Sequence, residues 1–189
     1  MPRTIRLKQG PVDAIGGRMV QAAVDELAKE GGGTVELPER ELTLSAAIVL
    51  RSGVSLVGRG GGTILRKAPS VSSPIADFLG HGHYEITLEE PDRFEPGMDV
   101  LIEDDNAFGF YTTAARIVSR DGDRFIIDAM LNHDYRPDSS ARAVGVFPLV
   151  AARGARNVRV ADITIDGGED PERLNGCRGG GVFFIRTHG

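Results

Sequence analysis

The sequence predicts an all-β fold, a solenoid of short strands coiled rung on rung. The first observation behind this is a recurring phrase: a small residue or asparagine, then apolar–x–apolar, then a turn. It stands as Gly53-Val54-Ser55-Leu56, as Asn157-Val158-Arg159-Val160 and as Gly181-Val182-Phe183-Phe184, with Thr34-Val35-Glu36-Leu37 a looser copy. Such alternation turns two apolar side chains to one face of a short strand. The second is spacing. Val35 to Val54 spans 19 residues, Leu42 to Ile64 spans 22 and Val158 to Val182 spans 24, each about one coil of a stacked repeat. The third is glycine, 25 of 189 residues, about twice the usual share of roughly 7%. Glycine at that density supplies corners with positive φ or close backbone approach, and its lack of a three-residue period excludes collagen.

The totals bound the rest. With 41% apolar and 26% charged residues, the chain is long enough for one cored domain, or one domain carrying an insertion. A net charge of −5 argues against nucleic acid or an anionic membrane as partner. No apolar run reaches the length of a membrane-crossing helix. The single cysteine, Cys177, has no partner for an internal disulfide. Aromatic residues make up only 6% and tryptophan is absent, which weakens the case for a sugar site of stacked aromatic platforms. The basic start, Met1 to Lys8, lacks the apolar stretch of a secretory signal. The protein then stays inside, has lost a signal, or leaves by another route.

Taken in order, residues 18–29 read as an amphipathic helix. Val20, Ala23, Val24, Leu27 and Ala28 share one face, and Gly31-Gly32-Gly33 ends it. Strand phrases follow at 34–37, 42–44, 47–50, 54–57 and 63–66, so 1–82 forms an N-terminal cap and the first coils. Residues 70–82 read as loop. From Tyr84 the strands lengthen, and Asp121-Gly122 is a hairpin turn between Ala115–Ser119 and Arg124–Asp128. The stretch 83–145 reads as a β-rich insertion. The ladder resumes over 146–189, with Val158/Val160, Ile163/Ile165 and Val182/Phe184 as inward residues. An uncapped last rung exposes apolar surface and unpaired backbone. Its cover is expected from an oligomer partner or from further C-terminal coils.

These residues carry a likeness. Val20 to Asp25 followed by Gly31 to Pro38, and the run Leu42 through Gly60, resemble the opening of pectate-lyase-superfamily proteins, a group that includes polygalacturonase-like enzymes and many phage tailspikes. Asn157 to Gly167 looks like an interior coil of the same right-handed parallel β-helix. The resemblance covers roughly 18–67 and 146–189. It implies lyase, hydrolase or depolymerase action on uronic-acid-containing or similar glycans, a polysaccharide partner, and an extracellular or periplasmic site. Gly80-His81-Gly82 and Asp104-Asp105 match strings of polygalacturonase-like enzymes but stand in the wrong order and outside the ladder, and Arg-Ile-Lys is absent, so those roles are not carried over.

Several clusters invite chemistry. Gly58-Arg59-Gly60-Gly61-Gly62-Thr63 lacks the lysine and spacing of a phosphate loop and reads as a turn between rungs. His81 and His83 could share a strand face as metal ligands do, but no acidic residue follows at the required spacing. Asp104 and Asp105 offer hard oxygen ligands for Ca²⁺, which would also bridge an acidic protein to an acidic polymer; the plainer reading is a solvated loop with Asx-turn chemistry. Asp162 and Asp166 flank Ile163-Thr164-Ile165 and would suit paired acid–base work, or corner and turn roles. Cys177 lies in a glycine-rich turn, while Arg178 would hold a sugar carboxylate through its planar fork. Tyr111, with Phe108, Phe110 and Tyr135, would line a glycan groove or form the insertion's own core.

Two functional readings remain at this stage. In the first, the chain is the N-terminal part of a polysaccharide lyase or glycoside hydrolase whose main catalytic residues lie beyond residue 189. In the second, it belongs to a non-catalytic glycan-binding or structural β-helix of the tailspike or adhesin kind. Whether the protein is an enzyme stays open.

Overall fold

The computed structural model describes residues 2–8, 17–106, 112–168 and 180–189. The chain divides into two compact units, Met1–Pro69 with Pro148–Gly189, and Ser70–Phe147. Among the described residues both are mostly β, and there is one α-helix. Pairing is parallel throughout the first unit and antiparallel throughout the second.

In the first unit, a five-stranded sheet joins β1 (Arg3–Arg6), β2 (Gly33–Glu36), β3 (Glu41–Leu44), β5 (Val54–Lys67) and β13 (Arg159–Asp166). A three-stranded sheet orders β14 (Val182–Ile185), β12 (Val150–Arg153) and β4 (Ile48–Leu50). Val35 lies opposite Leu56, and Leu42 opposite Leu65. Strands β2 and β3 thus pair with segments of β5 lying 21 and 23 residues further along. The sequence spacing had matched Leu42 with Ile64, Val35 with Val54 and Val158 with Val182; Leu42 instead meets Leu65, Val35 meets Leu56, and Val182 meets Val150 in a different sheet from the strand that follows Val158. Side-chain direction alternates along a strand, so only Leu65 stacks its buried side chain on buried Leu42.

Two of the three full copies of the recurring phrase begin at a left-handed corner. Gly53 (φ 78°) and Asn157 (φ 53°) turn corners in the left-handed region, which glycine and asparagine tolerate best. The corners stack: Gly33 N–H donates to Gly53 O, Gly53 N–H to Arg156 O, and Asn157 N–H to His188 O. Helix α1 (Gly17–Lys29) buries Val20, Ala23, Val24 and Leu27. The glycine-rich turn within β5 is held by Thr63. Its buried hydroxyl accepts from Arg59 N–H and donates to the Pro38 carbonyl, both at 2.9 Å.

On β14, Val182 and Phe184 lie in register with Val150 and Ala152. They stay 46% and 39% exposed, whereas Val150 and Ala152 are fully buried. Val160, Ile163 and Ile165 are half-buried.

The second unit is a six-stranded sheet ordered β6 (Ser72–Pro74), β11 (Arg142–Gly145), β8 (Asp99–Glu103), β9 (Thr113–Asp121), β10 (Arg124–Ile127), β7 (Glu85–Thr87). It begins at Ser70 because β6 pairs with β11, so part of the segment read from sequence as loop is a strand. The turn at Asp121-Gly122 joins β9 to β10 as its composition predicts, with Gly122 at φ 63°. Strand β8 is pinned at both ends by cross-strand ion pairs. Asp99 takes Arg116 bidentately, both contacts 2.9 Å, and Glu103 takes Arg142 at 3.0 Å. Phe94, Ile86, Ile102, Ile117, Phe125 and Tyr135 are among the residues of its core.

Candidate functional site

A grouping of chemically versatile side chains lies in the second unit, on a lip made by two short segments, 78–84 and 130–136. Two reciprocal backbone hydrogen bonds, both 2.9 Å, tie Leu79 to Tyr135. Gly82 N–H donates to Leu131 O, and Leu131 N–H donates to His83 O. The Asp134 carboxylate accepts from His81 N–H at 2.7 Å. Leu79, Leu131 and Tyr135 are buried, while Phe78, His81, His83, Tyr84, Met130, Asp134 and Arg136 are exposed. Gly82 takes φ 87°, which lets the first segment turn between its two histidines.

Beneath the lip is a compact polar network. The Tyr135 hydroxyl donates to Asn132 Oδ1 at 2.9 Å, and the Thr113 hydroxyl donates to the same oxygen at 2.8 Å. The two hydroxyl oxygens are 2.9 Å apart. Thr113 Oγ1 also accepts from Asn132 N–H, and the Asn132 amide nitrogen donates to Thr112 O. The His133 ring stands edge-on to Tyr135, centroids 5.6 Å apart. Its Nε2 is 3.9 Å from Oδ2 of Asp104, whose side chain is buried. Burial, reinforced by the Asp104 charge, pushes the Tyr135 hydroxyl above its usual range, partly offset by its bonds to Thr113.

On the outer side, the Arg136 guanidinium sits 4.9 Å from the centroid of the Phe78 ring. A methyl group built on Gly80 would touch Phe78 Cε1 at 3.5 Å and His83 Cδ2 at 3.6 Å, so the two rings flank this glycine.

The residues singled out from sequence fall as follows. Asp104 and Asp105 are neighbours on the chain but engage different partners. Asp104 is buried and caps the Asn106 N–H at 3.0 Å in an Asx turn. Asp105 is exposed and binds Arg142 at 3.0 Å, and with Ser140 that contact holds its carboxyl below the usual range. Among the described residues no three His, Cys, Asp or Glu side chains gather as a metal group. Asp162 turns a corner at φ 55° where the β13 register breaks. Asp166 lies on the segment after that break, so simple alternation does not relate the two carboxylates. Its oxygens are engaged by Arg66 at 3.0 Å and by Gly168 N–H at 2.9 Å. Tyr111, Arg178, Cys177, Phe108 and Phe110 lie outside the described residues. Sequence reasoning missed Asn132, Thr113 and Arg136. The one usable signal was the Gly80-His81-Gly82-His83 string, which marks the lip.

No family model matches the chain, and no curated protein matches it, so the pectate-lyase likeness rests on sequence phrases alone. Solved structures similar to it include three phage tailspikes. One is the Pseudomonas phage phi297 tailspike gp61, at 14% identity and TM-score 0.41, with 88% of this chain and 30% of that one covered. Another is the Gp54 tailspike of Acinetobacter baumannii bacteriophage AP22, in complex with A. baumannii capsular saccharide, at 10% identity and TM-score 0.37, covering 89% and 32%. A third is the tailspike gp49 of Pseudomonas phage LKA1, at 18% identity and TM-score 0.34, covering 89% and 33%. The chain thus spans about a third of the length of each. No helix among the described residues is long and apolar enough to cross a membrane.

Proposed function

We propose that the chain is part of a right-handed parallel β-helix protein that handles glycans, and that its described residues scaffold and bind but do not cleave. One observation carries the reading: the parallel register of the first unit, in which Val35 meets Leu56 and Leu42 meets Leu65 a coil later. Together with the sequence phrases at 18–67 and 146–189, it favours a stacked solenoid of the pectate-lyase kind. The glycan follows from that resemblance. Bond breaking, where the whole protein performs it, falls to residues other than Asp162 and Asp166.

Two features favour the binding role over the catalytic one within this stretch. Asp162 turns a corner, and Asp166 is occupied by Arg66 and its own turn. A pair poised for acid–base work needs both carboxyls turned to one place, and the register break beside Asp162 together with the Arg66 pairing of Asp166 works against that. Incubation of the 189-residue chain with a panel of acidic and neutral polysaccharides tests this. Retention on at least one glycan without new reducing ends or unsaturated sugar products is expected. Turnover by this chain, abolished by Asp162→Asn or Asp166→Asn, would overturn the assignment of roles.

A further inference from the structure

We propose that the outer side of the lip, Phe78 with Arg136 and His83, binds a carboxylate-bearing sugar. The proposal rests on the glycan-handling reading and gives it a specific place and ligand charge.

The first observation is a census of cations. The second unit contains six arginines and no lysine. Arg93, Arg116, Arg120, Arg124 and Arg142 each hold a carboxylate of the unit at 2.7–3.0 Å. Arg136 is the exception: among the described residues no carboxylate lies within salt-bridge distance of it. Its guanidinium is instead laid over Phe78. Asp134 stands two residues away with an oxygen committed to His81 N–H. In a chain of net charge −5, a guanidinium left without a carboxylate and fixed on a ring is positioned for an anion from outside.

The second observation is the ring itself. Phe78 is 53% exposed, although burying a side chain of this kind is worth about 2 kcal/mol or more. Beside it, across Gly80, lies the exposed His83 ring. The backbone under both is fixed by the paired Leu79–Tyr135 bonds and by the buried Tyr135 side chain. The ordering cost of binding is therefore already met in the free protein.

The chemistry selects the ligand. A pyranose presents apolar C–H faces and a rim of hydroxyls. An aromatic face takes the former, and imidazole and guanidinium at its edge take the latter. A planar guanidinium fork matches a carboxylate in two parallel hydrogen bonds, which a hydroxyl cannot reproduce. The occupant is thus a sugar carrying a carboxylate.

Calorimetric titration of the whole chain with an oligogalacturonate, and with the same oligomer after reduction of its carboxyl groups, tests the proposal. The acidic oligomer binds and the reduced one does not. Arg136→Gln and Phe78→Ala each weaken binding about ten-fold or more, the loss expected when a charge-assisted pair or a stacking face is removed. Both variants keep the wild-type melting temperature, because neither side chain is in the core. Arg124→Gln, which removes equal charge at an internal ion pair, leaves affinity unchanged. Wild-type affinity in Arg136→Gln, or equal binding of the reduced oligomer, overturns the site while the glycan-handling reading stands. Failure to bind the acidic oligomer also overturns it, and failure on every glycan of a broad panel overturns that reading as well.

Discussion

The side-chain amide of Gln21 grips the backbone of Val49 at two points. Its Oε1 accepts from the Val49 N–H at 2.7 Å and its Nε2 donates to the Val49 carbonyl at 3.0 Å. Strand β4 pairs with β12 along one edge. Gln21, projecting from α1, meets groups on the other edge that a preceding strand would otherwise satisfy. The helix gives this edge what a further strand would give: an apolar face for the interior and an amide that imitates a peptide.

Gln21→Leu should therefore cost more than its half-buried position suggests. It keeps helix propensity but leaves a strand N–H and C=O unpaired. The expected loss is about 1–3 kcal/mol, read as a lower urea midpoint with unchanged slope. Met19→Leu, on the same helix but exposed, serves as the control and should fall within about 0.5 kcal/mol of wild type.

Gly58 is required for space, not for conformation. Its φ is not in the left-handed region, yet a Cβ there would run into the backbone oxygen of Asp162 on the neighbouring strand and the side chains of Ile163 and Thr63. A backbone oxygen cannot rotate away as a side chain can. Gly58→Ala should destabilise by about 1–3 kcal/mol through forced separation of β5 from β13. Gly61→Ala, where nothing stands within 4 Å, should be close to neutral. Equal melting temperatures for the two variants would refute the close approach.

The contrast between these positions shows what a sequence can announce. The α1 face was legible because Val20, Ala23, Val24 and Leu27 recur at helical period, and a glycine run follows. The corners at Gly53 and Asn157 were legible because only a few residue types enter the left-handed region cheaply. The hairpin at Asp121-Gly122 was legible for the same reason. Strand β6 was not: Ser72-Ser73-Pro74 has no apolar alternation, and it is a strand only because Arg142–Val144 pair with it. The lip was half legible. Its glycines and histidines stood out, but suggested a metal pair. Its defining contacts, Phe78 with Arg136 and Thr113 with Asn132 and Tyr135, join residues remote in sequence through rings and hydroxyls that carry no periodic signal.

The Tyr135 network makes an alkaline prediction. Its folded pKa is raised above the ordinary value of 10.0, chiefly by burial. The stability this contributes is fully present below the ordinary value and is lost as pH rises through the folded one. Ionisation followed by ultraviolet absorbance should show a tyrosine titrating above the ordinary value, together with loss of structure. Tyr135→Phe removes that late step. It also leaves Asn132 Oδ1 with the Thr113 hydroxyl alone, at a cost of about 1–2 kcal/mol near neutral pH. A Tyr135→Phe variant that melts as wild type does and keeps the late ionisation step would show that the hydroxyl cluster does not form.

Asp105 makes an acid prediction. Its hydrogen bonds from Arg142, then Ser140, hold its folded pKa below the ordinary carboxylate value of 3.8. A depressed carboxylate contributes stability that is present above the unfolded pKa and lost as pH falls through the folded one. Asp105→Asn should therefore lower the melting temperature near neutral pH, and the gap from wild type should close as the solution becomes strongly acid. Because the carboxylate is exposed, added salt should shrink the neutral-pH gap too. Arg142→Gln should reproduce the pH dependence with a larger neutral-pH effect, since it also strips Glu103 of its partner and loosens the end of β8. A gap in Asp105→Asn that stays constant from neutral to acid pH would mean that the residue acts through the shape of its turn, and that the charge on the carboxylate contributes nothing.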